Sequence, residues 1–110
     1  MKFIQYFTSL GYTENDAHIW KSLFSLGTQP ASVIAKETGL ERTYVYKSLM
    51  KLAEDGVVSL TEKNGIKNFF IPDSSLLLKK AREEKERYTK LEDEYGVITA
   101  ELASLTPSNQ

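Results

Sequence analysis

The chain has 110 residues, 41% hydrophobic and 26% charged, with 15 acids against 14 bases for a net charge of −1. That is room for one small globular domain with an appendage, and no apolar run approaches the ~20 residues of a membrane-spanning helix. With no cysteine and a single histidine, His18, disulfides, thiolate metal sites and cysteine nucleophiles are excluded, and no histidine set exists for a metal or acid-base centre.

Those absences weigh against an enzyme; no catalytic residue, metal or cofactor is expected, and no glycine-rich phosphate loop occurs. Near the start, Gln5 interrupts the apolar stretch after Lys2 and no small-residue cleavage site follows, so no signal peptide is expected and the cytoplasm is the default location. Composition changes at Pro72-Asp73-Ser74-Ser75. Short periodic segments punctuated by Gly, Pro and Asn precede it, and a Leu, Lys, Glu, Arg and Ala-rich stretch follows. The division expected is a head over 1–73, a helix over 74–106 and a disordered tail over 107–110.

In chain order, a first helix is predicted over Lys2 to Leu10, with Phe3, Ile4, Phe7 and Leu10 on one face and Gly11 as its stop. A second opens at Thr13, an N-cap with Asp16 at the third helical position, and runs past Trp20, Leu23 and Phe24 to Gly27. Trp20 reads as core and His18 as a solvent-facing or edge residue. Pro30 suits the first position of a third helix with Val33, Ile34 and Ala31 inward, ended by Gly39. The fourth helix starts near Glu41 and carries Val45, Leu49 and Leu52 on one face as far as Asp55. After Gly56 the period changes to that of strands, over 57–61 and 66–71, joined by the hairpin signal Asn64-Gly65. This order describes a mainly α fold: a helix-turn-helix with a two-stranded wing, followed by a long C-terminal helix.

Leu10-Gly11-Tyr12-Thr13-Glu14-Asn15-Asp16-Ala17, with Ile19-Trp20, resembles the opening of the TrmB-like winged-helix regulators. Ala35-Lys36-Glu37-Thr38-Gly39-Leu40, then Arg42-Thr43-Tyr44-Val45-Tyr46, Leu49, Leu52 and Gly56-Val57-Val58, is similar to the helix-turn-helix of that family. The likeness spans residues 8 to 72 and implies a dimeric, DNA-binding transcriptional regulator of prokaryotic type. Many members continue into a C-terminal sugar-binding domain. Here only one helix follows the head, so sugar sensing is not carried over and no small-molecule effector is expected.

The chemistry of the fourth helix points the same way without the resemblance. With Val45, Leu49 and Leu52 inward, the other face offers Thr43, Tyr44, Lys47, Ser48 and Lys51, and Arg42 stands at the helix start. Guanidinium reads guanine edges, hydroxyls meet bases or phosphate, and lysines neutralise phosphate. Lys63, Asn64 and Lys67 extend the basic surface onto the wing beside a single acid, Glu62. The reading is a recognition helix at about 41–55 in the major groove and a wing at 62–67 on the backbone of double-stranded DNA. Tyr46 borders the apolar face and is assigned to packing.

In the C-terminal segment Leu77, Ala81, Glu84, Tyr88, Leu91, Tyr95, Ile98, Leu102 and Leu105 alternate in steps of four and three, a heptad seam broken in character only by Glu84. A rod of ~46 Å is expected, paired with a second copy through Leu77, Ala81, Tyr88, Leu91, Tyr95, Ile98, Leu102 and Leu105. The competing arrangement folds its first turns onto the head through Leu76 and Leu78, and Gly96 is a candidate weak point. Such a homodimer would read a pseudo-palindromic site with half-sites ~34 Å apart. The rival function is a winged-helix protein-interaction adaptor that binds no DNA, consistent with the near-neutral charge.

Overall fold

The computed structural model describes residues 2–105 and Pro107; Met1, Thr106 and 108–110 lie outside it. The end of the expected C-terminal helix at Thr106 and all of the expected tail except Pro107 therefore fall outside the described residues. Two compact units divide the chain between Lys80 and Ala81.

The first unit opens with α1 (Lys2–Ser9) and α2 (Glu14–Leu26). Phe7 points fully inward from α1, with Phe3, Ile4 and Leu10 packed around the core. A capping box starts α2: the Asp16 backbone N–H donates to Thr13 Oγ1 and the Thr13 N–H donates to Asp16 Oδ2, each at 3.1 Å. Such a cap contributes about 1 kcal/mol by satisfying donors that the first helical turn leaves open. Further along, the Trp20 indole N–H donates to the Val57 carbonyl at 2.8 Å. Phe24 stacks on Trp20 with ring centres 5.2 Å apart, its outer side open to solvent.

Next come α3 (Ala31–Thr38) and α4 (Arg42–Glu54), with Gly39 at φ 74° providing the left-handed turn between them. Pro30 lies one residue outside the helix, as its N-cap. Ala31, Ile34 and Ala35 form the buried stripe of α3, whereas Val33, expected inward, is exposed. Positions i, i+3 and i+4 share a helix face and i+2 falls on its flank. On α4, Val45, Leu49 and Leu52 are completely buried.

Antiparallel strands β1 (Ser59–Lys63) and β2 (Ile66–Phe70) pair with Lys63 opposite Ile66 and Glu62 opposite Lys67. Asn64 and Gly65 both have positive φ, 53° and 75°, the backbone that a two-residue hairpin of this twist requires. Val57 and Val58, expected in the first strand, precede it. Both backbone N–H groups instead donate to the Leu52 carbonyl, at 3.0 and 3.3 Å, and both side chains are buried. At the other end of the wing, the backbones of Gln29 and Phe69 exchange hydrogen bonds of 2.9 and 2.8 Å, fastening β2 to the approach of α3.

Helix α5 (Ser75–Asp93) begins within the first unit, where Leu77 joins the core. In the second unit α5 gives way to α6 (Tyr95–Ala103). The single helix expected over 74–106 is thus bent at Glu94, two residues before Gly96, where φ is −82° and ψ is −6°. The Glu94 N–H still donates to the Lys90 carbonyl at 3.0 Å, and the Glu94 carbonyl accepts from Ile98 N–H at 3.2 Å. Among the described residues no helix is long and apolar enough to cross a membrane.

Candidate nucleic-acid interface

Burial of one stripe of α4 determines what its other side displays. Arg42, Thr43, Tyr44, Lys47 and Lys51 are exposed, while Val45, Ser48, Leu49 and Leu52 are buried. Glu41 caps the helix by accepting the Tyr44 N–H at 3.1 Å, which directs its carboxylate to its own backbone. Three of the predicted α4 positions, Arg42, Thr43 and Tyr44, therefore crowd the helix start, with Lys47 one turn on.

Ser48 is a correction to the predicted surface. It is 7% exposed, and its hydroxyl donates to Asp16 Oδ1 at 2.6 Å. The complete inward stripe is 45, 48, 49 and 52, an i, i+3, i+4, i+7 set in which a small hydroxyl replaces the expected apolar residue. Lys51 is a partial case: its ammonium lies 3.5 Å from Asp16 Oδ2 and 5.2 Å from the centre of the Tyr12 ring, on the flank between α2 and solvent. Burial alone would raise the Asp16 pKa. The Ser48 hydroxyl, the Thr13 backbone and Lys51 outweigh it and hold the carboxyl below the ordinary aspartate range. A second tie holds the far end of α4, where the Tyr12 hydroxyl donates to Asp55 Oδ2 at 2.8 Å.

The wing brings Lys63 and Asn64 to an exposed tip and Lys67 to a half-buried place opposite Glu62. Between wing and helices runs an open groove of about 660 Å³. Arg42, Thr43 and Tyr46 line it from α4, Gly65 to Lys67 from the wing, and Pro30 to Ser32 from the start of α3. Arg42, Thr43 and Lys67 are thus brought to one concavity, while Tyr44, Lys47, Lys51, Lys63 and Asn64 do not line it. Tyr46 meets Phe69 edge-on at 6.3 Å, which keeps it at the groove wall. Ser32 also lines this groove and was not among the residues expected from the sequence. The available signal was Pro30, because a helix that begins at Ala31 places Ser32 and its hydroxyl in the first turn, beside the groove.

Of the predicted pairing residues, Leu77 is 7% exposed and belongs to the core of the first unit, a second correction. Three consecutive leucines, 76 to 78, offer several possible inward positions, and the structure buries the middle one. Ala81 is partly covered, and Tyr88, Leu91, Tyr95, Ile98, Leu102 and Leu105 are 48 to 72% exposed.

The family described as sugar-specific transcriptional regulator TrmB matches residues 7–91 of the chain. No curated protein matches it. Among solved structures, the chain is similar to TrmBL2, an archaeal chromatin protein whose structure shows a novel mode of DNA binding, with a TM-score of 0.77 at 16% identity. That likeness covers 99% of this chain and 43% of TrmBL2, so the chain spans less than half the length of that protein. It is also similar to a possible transcriptional regulator from Methanosarcina mazei Go1, with a TM-score of 0.57 at 18% identity over 80% of this chain and 82% of that one. YusO from Bacillus subtilis has a TM-score of 0.57 at 17% identity over 94% of this chain and 83% of that one. At these identities the structural likeness concerns the winged-helix fold.

Proposed function

Given that the chain belongs to the TrmB family of transcriptional regulators, we propose that it is a sequence-specific regulator that binds double-stranded DNA as a homodimer. Helix α4 enters the major groove, and the wing follows the phosphate backbone. The observation that carries this reading is the division of α4 into a sealed stripe and an open face bearing Arg42, Thr43, Tyr44 and Lys47.

In this reading Arg42 and Tyr44 meet base edges or the sugar-phosphate rim, Lys47 and Lys63 neutralise phosphate, and Lys67 and Ser32 receive a phosphate beside the groove. Lys51 contributes from the flank while paired with Asp16. Sequence readout in the groove and backbone neutralisation act together, so affinity falls steeply with salt. Apolar residues left open on the second unit account for the second copy, because a stripe of that kind on an isolated helix is costly in water.

Fluorescence anisotropy with labelled duplex DNA at two salt concentrations tests the reading. Binding that weakens with salt, together with enrichment of one sequence from a random oligonucleotide pool, is the expected result. Absence of binding at low salt would overturn it in favour of a protein-interaction adaptor.

A further inference from the structure

Charge along the second unit is distributed unevenly: basic Lys85 and Arg87 lie near its start, and acidic Glu92 and Glu94 follow within two turns. All four are exposed and flank the apolar stripe. Resting on the homodimer reading above, we propose that two copies of this segment pair antiparallel, centred between Thr89 and Lys90.

Three consequences of that register agree. Arg87 lies across from the partner's Glu94 and Lys85 across from the partner's Glu92, and two-fold symmetry repeats each opposite-charge pair. Within the stripe, Tyr88 faces the partner's Leu91, and the small Ala81 faces the partner's larger Ile98. Glu84, the one charged residue of the stripe, faces the partner's Tyr95, whose phenol O–H is a donor for a carboxylate. Glu84 also holds Arg87 of its own helix at 3.2 Å, so its charge stays compensated at the edge of the seam.

A parallel pairing places Glu84 against its own copy inside the seam. It sets Arg87 beside the partner's Glu92 but leaves Lys85 and Glu94 with no opposite charge across the interface. Retention of helical hydrogen bonds on both sides of Glu94 lets the ladder continue from Lys85 to Ile98 despite the bend.

Because the chain contains no cysteine, single introduced thiols report orientation directly. Ala81→Cys and Ile98→Cys are made in the full chain, one carrying a mass tag, and oxidised separately and mixed. In the antiparallel register, a disulfide forms between the two variants and the mixture gives at least about tenfold more cross-linked dimer than either alone, since only facing positions come within bonding range. Efficient cross-linking of Ala81→Cys by itself overturns the orientation. Sedimentation velocity on the unmodified chain separates the remaining outcomes. A dimer whose mixed variants fail to cross-link refutes this register and leaves the homodimer standing, whereas a monomer refutes both.

Discussion

Ser48 on α4 and Asp16 at the start of α2 are joined by a buried hydrogen bond of 2.6 Å, so the helix assigned to DNA is held by the same carboxylate that caps its neighbour. Removing Asp16 therefore leaves two elements short of a partner. Asp16→Ala is expected to destabilise the head by about 2 to 4 kcal/mol and Ser48→Ala by about 1 to 2 kcal/mol, read from urea unfolding. A double-mutant cycle should return a coupling above about 1 kcal/mol; independent, additive losses would contradict the shared network.

Acidity should act through the same group. The folded-state pKa of Asp16 lies below the ordinary aspartate value of 3.8, so the unfolded chain binds more protons in the window between the two. Its contribution is complete above that ordinary value and disappears as pH falls through the lower folded one. Thermal melts from pH 6 downward should show this acid loss in the native chain and a shallower one in Asp16→Asn.

On the exposed side of α4, Arg42→Ala and Lys47→Ala are expected to leave the melting temperature unchanged and to weaken DNA binding. Arg42→Ala should cost about tenfold and relax preference at one base position, while Lys47→Ala should weaken all sequences alike and reduce the salt slope by about one. With Lys51 engaged by Asp16, the remaining bases Arg42, Lys47, Lys63 and Lys67 make about four phosphate contacts per head, for a logarithmic salt slope near −3.6. Anisotropy titrations that leave both variants at native affinity would dismiss this face.

Leu77 and Leu102 belong to the same heptad pattern and have different surroundings, one buried and one open. Leu77→Ala should lower head stability by about 2 to 4 kcal/mol, as for other core leucines. Leu102→Ala should leave the head's melting unchanged and raise the dimer dissociation constant in sedimentation equilibrium. Equal effects of the two on both readouts would argue against separate roles.

Local signals were the legible part of this chain. Thr13 and Asp16 declared a capping box, Gly39 the turn between helices, and Asn64-Gly65 the hairpin, because each acts within a few residues of itself. Features that depend on distant neighbours were not legible. Ser48 looks like a surface hydroxyl until α2 supplies a buried carboxylate. Val57 and Val58 carry strand propensity, yet hydrogen bonds to Leu52 and burial claim them first. Leu77 fits a heptad seam as well as it fits the core, and the sequence offers no means of ranking the two. For the interface, residue types on α4 identified the exposed basic face, whereas the groove required the Gln29–Phe69 bridge, a backbone contact with no side-chain signature.

The indole that donates to Val57 belongs to the only tryptophan in the chain, and it lies 3% exposed in the first unit. Its emission is therefore an internal spectroscopic probe of that unit alone, blue-shifted while the contact holds and moving to longer wavelength as water reaches the ring. Melting of the head can then be followed on the unaltered chain by its own emission, with no dye attached.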